Sequence, residues 1–246
     1  MAISIDTVYQ KVLALANKEQ RGYITPQEFN LFADQAQKEI FEQYFYDLNQ
    51  FKRVPGNSSG YADMVKILEE KISLFEIYDK GYSIVGDFGQ FNLNEHDDIY
   101  RLTMLRVLYP GQKFKKAEQI QLSELNAIGD SPLTRWSRQR PVYTRYSTFS
   151  SGVPDRIAIY PYPESGQNAF VSYIKFPKKP NWNYQMVQDK PFFLNDSNSQ
   201  DFELHPSEES ELVYRVLALA GISIEKPSLV QAAMTLESTK VQQEKQ

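Results

Sequence analysis

Two histidines, His96 in NEHDD and His205 in FELHP, each stand beside acids, and that pairing could supply a carboxylate–imidazole metal site. Neither has the i, i+4 partner that a metalloprotease helix places on one face. His205, followed at once by a proline, reads instead as a helix cap. The tetrapeptide GDFG (Gly86 to Gly89) matches one kinase fragment, but no glycine-rich loop, strand lysine or catalytic-loop motif accompanies it, so a turn is expected there. The paired carboxylates Glu69 and Glu70 fall on the solvated face of an expected helix. No G-x-S-x-G, P-loop or dinucleotide fingerprint occurs. The absence of cysteine excludes a thiol nucleophile, a disulfide framework and any cysteine-ligated zinc or iron–sulfur site. The chain is therefore expected to be no enzyme, with no catalytic residues, no metal and no cofactor.

Binding chemistry is better represented. SPLTRWSRQRPVYTRY (Ser131 to Tyr146) holds four arginines and a tryptophan and no acid. Arg135, Arg138, Arg140 and Arg145 could contact phosphates, with Trp136 and Tyr143 available for stacking. The sequence pI is near 5.4, whereas an autonomous nucleic-acid binder is usually basic over a whole domain. A weak, transient and sequence-blind contact with double-stranded DNA fits better, and so does a protein seam, where Arg and aromatics are enriched. From Ser131 to Lys190 nine Lys/Arg face three Asp/Glu, a local +6 in a chain of net charge −4. A solvated face would produce the same imbalance, but such polarity also suits head-to-tail pairing of subunits. The acids of the C-terminal helix, Glu208, Glu209 and Glu211, are the candidate partners of these arginines on a neighbouring subunit. Pro132 and Pro141 disfavour helix and predict an extended basic arm before the strand PVYTRY.

The elements that must position these groups read as α+β: an N-terminal long-helix hairpin or bundle, a central antiparallel β meander or small β-sandwich, and C-terminal helices packing back on the helical part. The expected boundaries are 1–80 helical, 81–204 β-rich with the basic arm at 131–146, 205–236 helical, and 237–246 a polar tail, all in one structural unit. Val8, Val12, Leu13, Leu15 and Ala16 make an apolar stripe with helical spacing, ending near Gly22. The next start is well marked: Thr25 as cap, Pro26 in the first turn and Glu28 completing a capping box. Phe29, Phe32, Ala33, Ala36, Ile40, Tyr44, Leu48 and Phe51 then give one broad apolar face, and Phe41 and Phe45 a second. After the loop RVPGNSSG (Arg53 to Gly60), Tyr61, Met64, Val65, Leu68, Ile72 and Phe75 predict another helix, which fades before YDKGYS.

In the middle, YSIVG and DIYRLTMLRVLY read as strands, YPGQK as a turn between strands, and LSELNAI as a short helix. PVYTRY, DRIAIYPYP and AFVSYIKFP, separated by the short turns SSG and ESGQ, predict a three-strand sequential antiparallel meander. Pro206, Glu208 and Glu209 mark the start of the C-terminal helix. Leu212, Val216, Leu219 and Ala220 form its stripe and Gly221 its cap. Pro227 is expected to open a final short helix.

The start MAISIDTVYQ has neither the basic patch nor the apolar core of a signal peptide. The longest apolar run, VLALAGISI, has nine residues, well short of the roughly 20 of a membrane span. A soluble protein of a reducing or neutral compartment, with no membrane partner, is expected.

VLALANKEQRGYITPQEFNLFADQAQKEIFEQYFYDLNQF (Val12 to Phe51), SPLTR, RPVYTRY, IYPYP, YIKFPKKPNW and DFELHPSEESELVYRVLALAGISI follow one another in this order. Together, from about Val8 to Ala233, they resemble the ring proteins of the head-to-tail connector in crAss-like and related marine podoviruses, which look similar in role to the adaptor, tail tubular or gatekeeper proteins of short-tailed phages. The resemblance implies a virion structural protein of the neck and tail, assembled in the host bacterial cytoplasm. It implies a ring, commonly of twelve copies, below the portal protein and against adjacent tail or ring proteins, around the channel through which the genome passes. Two other classes stand beside it: a small nucleic-acid-binding accessory protein using the Arg-rich segment, and a carbohydrate-binding tail or fibre component whose exposed aromatics stack on sugars.

Overall fold

In chain order the helices are α1 (Ile5–Asn17), α2 (Pro26–Arg53), α3 (Ser59–Ser73), α4 (Leu125–Asp130) and α5 (Glu209–Ser223). The structure, a computed structural model, describes residues 3–17, 24–53, 59–84, 89–93, 98–111, 113–146, 156–163, 168–188 and 190–223, with Thr235 and Ser238. The fold is mixed α+β, as the sequence pattern requires. It divides into two compact units, Met1–Leu74 with Pro177–Gln246, and Phe75–Phe176.

The helical unit is organised by α2, which packs against α3 and α5, while α1 packs against α5. At 28 residues, α2 is about 42 Å long at 1.5 Å per residue. Its start is the expected capping box. Glu28 N donates to Thr25 Oγ1 at 3.3 Å, and Thr25 N donates back to Glu28 Oε2 at 2.9 Å, so two amides without intrahelical acceptors are satisfied reciprocally. Thr25→Ala is expected to lower stability by about 1 kcal/mol, read as a reduced urea midpoint at unchanged slope.

Phe29, Ala33, Ala36, Ile40 and Tyr44 are buried, and so is Phe41 on the second face; Phe32, Phe45, Leu48 and Phe51 are half-buried. In α1, Val8, Val12 and Ala16 are buried, but Leu13 is only half-buried and Leu15 faces outward. Leu68 and Ile72 anchor α3. Helix α5 buries Leu212, Val216 and Ala220 while Leu219 stays half-buried. It runs through the expected cap Gly221 to Ser223. A mid-helix glycine costs only about 1 kcal/mol relative to alanine, and Gly221 is buried there, so packing overrides the local stop signal. The expected turn at Gly22 and helix at Pro227 lie outside the described residues.

Segment 177–204, expected with the strands, belongs to the helical unit. Polar side chains on α2 hold it there. Gln37, fully buried, donates to Lys178 O at 2.8 Å and accepts from Glu203 N at 3.1 Å. Asn30 accepts from Trp182 N at 2.8 Å and donates to Trp182 O at 3.3 Å. Side chains that bond a neighbouring backbone do for an irregular segment what a ladder does for a strand.

The β unit contains β1 (Glu76–Ser83), β2 (Gln90–Asn92), β3 (Ile99–Val107), β4 (Lys115–Gln119), β5 (Val142–Tyr146), β6 (Arg156–Tyr160) and β7 (Asn168–Lys175), while β8 (Tyr184–Val187) and β9 (Lys190–Phe193) form a separate hairpin. The seven-stranded sheet has the order β1-β7-β3-β4-β5-β6-β2, antiparallel except for the β4–β5 pair. Three sequence expectations are corrected here. The helix expected to reach Phe75 ends at Ser73, and β1 begins at Glu76, six residues before the expected strand YSIVG. The strand β2 had no counterpart in the reading of the sequence. The three-strand meander stops after β5 and β6, because β7 leaves β6 and inserts between β1 and β3. The burial of β7 fits the move: Ala169, Val171, Ser172, Tyr173 and Ile174 are all buried, and backbone N–H and C=O groups shut away from water need partners along both edges of the strand.

Side chains of the sheet, among them Leu105, Val107, Ile157, Ile159, Val171 and Tyr173, form the core of this unit with Tyr109 just beyond β3. The turn at Pro110–Gly111 joins β3 to β4 as expected, with Gly111 at φ +72°, in the left-handed region where glycine carries no Cβ penalty.

Candidate assembly surface

The Arg-rich segment is compact, not an extended arm. A single 3₁₀ turn (Leu122–Glu124) and α4 lead into it. Beyond Ser131, Arg135 N donates to Ser131 O at 3.0 Å, closing a first turn with Leu133 in it. Ser137 and Arg140 then exchange backbone bonds of 3.1 and 3.0 Å around Arg138 and Gln139, closing a second. The proline argument fails because Pro132 sits inside a turn and Pro141 just precedes β5, both sites that a fixed φ tolerates.

Trp136, half-buried between the two turns, pins the double turn to the sheet. Its ring centroid lies 5.3 Å from that of Tyr160, and a Cβ added at Gly129 of α4 would come within 2.4 Å of its Cη2. A side chain at position 129 would thus drive the indole from its seat. Arg140 is tied to Glu118 Oε2 by Nη2 at 3.0 Å and Nε at 3.2 Å.

The five candidate contact residues therefore part company. Arg135 and Arg138 are exposed on the double turn with Leu133, which is 94% exposed. Trp136 is occupied by its own unit, Arg140 is paired, and Arg145 is half-buried on β5. There Arg145 borders a polar cavity of about 600 Å³ with Gln119, Gln121 and Glu124. Tyr143, expected as a stacking platform, is buried and donates to Gln119 Oε1 at 3.2 Å. Burial pushes its phenol pKa up, against the opposing charge of Arg145. Tyr109 is raised further, to about 12, by burial, with the charge of Arg138 acting the other way.

The acids expected to receive the arginines are spent inside their own unit. Glu208 is buried and paired with Lys71 Nζ at 2.5 Å. Glu211 is buried and bonded to Arg215 at 2.7 and 3.1 Å. Glu209, the most accessible of the three, pairs with Lys11. An N-terminal helix turn that carries acids reads as a solvated face in sequence; Lys71 from α3 and Arg215 one turn along α5 take two of them into buried pairs, and Lys11 of α1 takes Glu209 at the surface. The +6 segment is also divided, since residues up to Phe176 lie in one unit and those from Pro177 in the other. The β unit as a whole holds twelve Lys/Arg and eleven Asp/Glu.

Two features had no reading in the sequence. Asp79, at φ +54° in a bulge of β1, accepts from Arg106 Nε at 3.0 Å while its backbone N donates to Ser172 Oγ at 3.2 Å. Arg106 in turn lies 5.2 Å from the ring centroids of both Tyr78 and Phe114. The left-handed tolerance of Asp in YDKG is the one available signal. The second feature is Trp182, 1% exposed, whose Nε1 donates to Asp6 Oδ1 at 2.9 Å.

His205 caps the α5 segment, its Nδ1 accepting from Ser207 N at 3.3 Å; His96 lies outside the described residues. Gly89 of GDFG is in a turn at φ +58°, and residues 86–88 lie outside the described residues. Glu69, exposed, pairs with Lys52 at 3.2 Å, and Glu70 is exposed beside it. Among the described residues there is no group of three or more metal-ligating side chains, and no helix is long and apolar enough to cross a membrane. No family model matches the chain, and no curated protein matches it significantly.

Proposed function

We propose that this chain is a structural protein of a phage virion, a ring of about twelve copies in the head-to-tail connector below the portal, in keeping with the rings it resembles. The observation that carries the protein-seam reading over free DNA binding is Leu133, 94% exposed in the same double turn as Arg135 and Arg138. A phosphate backbone offers nothing to a leucine, whereas an interface core takes an apolar anchor flanked by arginines. Trp136 wedged against Gly129 and Tyr160 holds that turn in place before any partner arrives, which lowers the ordering cost of association.

The decisive measurement is native mass with and without the portal protein: a ring runs at several hundred kDa, alone or on the portal. Arg135→Glu with Arg138→Glu is expected to leave the melting temperature of the isolated chain within about 4 °C, since exposed substitutions usually cost within about 0.5 kcal/mol each and 1 kcal/mol moves the midpoint by about 2–4 °C at this size, while reducing ring formation or stacking. A double variant that assembles normally but retains less DNA in the particle would put these arginines on the channel wall. A chain that remains monomeric with the portal present would overturn the ring.

A further inference from the structure

The chain from Leu122 to Arg140 lies on the β unit with almost nothing of its own buried. The 3₁₀ turn and α4 bury no residue, and Leu125, Ile128 and Gly129 are only half-buried. Six residues are too few to hold a helix in water unaided. From Ser131 to Arg140 every residue is exposed except Ser131 and Trp136, which are half-buried. At the start of the segment, Gln121, Leu122 and Glu124 border the polar cavity of about 600 Å³, so that end is not seated by close packing. At the far end Arg140 pairs with Glu118, but these side chains are 62% and 58% exposed, and an exposed pair contributes little.

Among the described residues, the large side chain that joins α4, the double turn and the sheet is the indole of Trp136. A Cβ at Gly129 would stand 2.4 Å from its Cη2, 2.9 Å from Cζ3 and 3.2 Å from Cζ2, so the outer edge of the six-membered ring rests on the α4 backbone. On its other side is Tyr160, the last residue of β6, with ring centroids 5.3 Å apart. Gly129 is helical, a conformation that alanine adopts more readily than glycine. Glycine is therefore required at this position for space, not for backbone freedom.

We propose that residues 122–140 form a flap that opens and closes on the sheet as a unit, latched by the Trp136 indole in the seat between Gly129 and Tyr160. A segment with few buried apolar groups stands at the low end of local stability. The core of the β unit draws no side chain from this one, so the flap can lift while the sheet stays folded. When latched, it holds Leu133, Arg135 and Arg138 in one geometry; when open, it adds their ordering to the cost of any association. The latched flap is then the form that assembles, a step that rests on the ring reading above.

Hydrogen exchange on the isolated chain tests the latch, together with fluorine NMR of fluorotryptophan, which reads Trp136 and Trp182 separately because the chain has two tryptophans. Flap amides are expected to exchange at least about tenfold faster than those of β5, β6 and β7. Gly129→Ala, which would stabilise an ordinary helix, should here speed flap exchange by roughly another tenfold. It should also move the Trp136 signal toward its solvent-exposed position, and leave the Trp182 signal and the sheet amides unchanged. Trp136→Ala should open the flap as well, and adding Gly129→Ala to it should change nothing further, because both act through one contact. Flap amides as protected as the sheet, a Gly129→Ala variant that loosens both or neither, or additive effects in the double variant would each overturn the latch. Native mass with the portal present reads the consequence: Gly129→Ala should assemble less than the parent. Normal assembly with the flap shown to be open would overturn its part in association, whereas a parent that stays monomeric would overturn the ring and leave the latch standing on its exchange data.

Discussion

Trp182→Ala is expected to lower unfolding free energy by about 3–5 kcal/mol, the range for deleting a buried aromatic. Trp182 is 1% exposed. Its ring centroid lies 4.2 Å from that of Tyr9 in α1, and it stacks against Tyr184 and Phe193 of the hairpin. Its Nε1 donates to Asp6 Oδ1 at 2.9 Å. Truncation removes the aromatic contact between α1 and the 177–204 segment, leaving the Ile5 N to Asp201 Oδ1 bond of 2.9 Å, and leaves the Asp6 carboxylate without that donor. Set against a typical total of 5–15 kcal/mol, a loss of this size would bring the helical unit close to unfolding at 37 °C. Trp182→Phe separates the two contributions. It keeps most of the stacking and loses the charged hydrogen bond, for about 1.5–3 kcal/mol. Urea denaturation followed by far-UV circular dichroism measures both, and equal midpoints for the two variants would show that the ring contacts carry little.

Lys71→Met should cost about 3–5 kcal/mol, because it strips the partner from a buried carboxylate. The side chains of Lys71 and Glu208 are 12% and 2% exposed and 2.5 Å apart. Glu208 also accepts from Ser207 Oγ at 3.0 Å, and Lys71 Nζ lies 5.6 Å from the Tyr44 ring centroid. Most of the loss is the cost of an uncompensated buried charge rather than the worth of the pair itself. The double variant Lys71→Met with Glu208→Leu is therefore expected to regain most of the stability of the parent. A double variant as unstable as the single one would show that Glu208 matters chiefly as the acid at the start of α5. Thermal and urea unfolding of the four proteins of the cycle decide between these outcomes.

Local information carried the helices and most of the strands. Thr25, Pro26 and Glu28 define the start of α2 through groups at most three residues apart, and the burial of Phe29, Ala33, Ala36 and Ile40 follows from helical period alone. YPGQK, LSELNAI, PVYTRY and DRIAIY each declared their conformation for the same reason: short-range backbone preference and side-chain alternation are written within a few residues.

Only the tertiary structure decided what those elements meet. The sequence by itself placed acids at Glu208, Glu209 and Glu211 and arginines at 135–145. Whether the acids face outward depended on Lys71 and Lys11, far along the chain, and on Arg215, a turn away on the same helix but buried with Glu211 only by the packing around them; whether the arginines do depended on the double turn and on Glu118. The order of the sheet was equally out of reach. β7 is flanked by β1 and β3, where its buried backbone finds partners along both edges, a demand that alternation between neighbouring strands does not express. Segment 177–204 follows the helices because Asn30 and Gln37 on α2 bond its backbone, and polar residues on a helix carry no periodic signal of the strand or loop they will hold. Period and capping are set by neighbours in the chain; burial of charge and the choice of strand partners are set by neighbours in space.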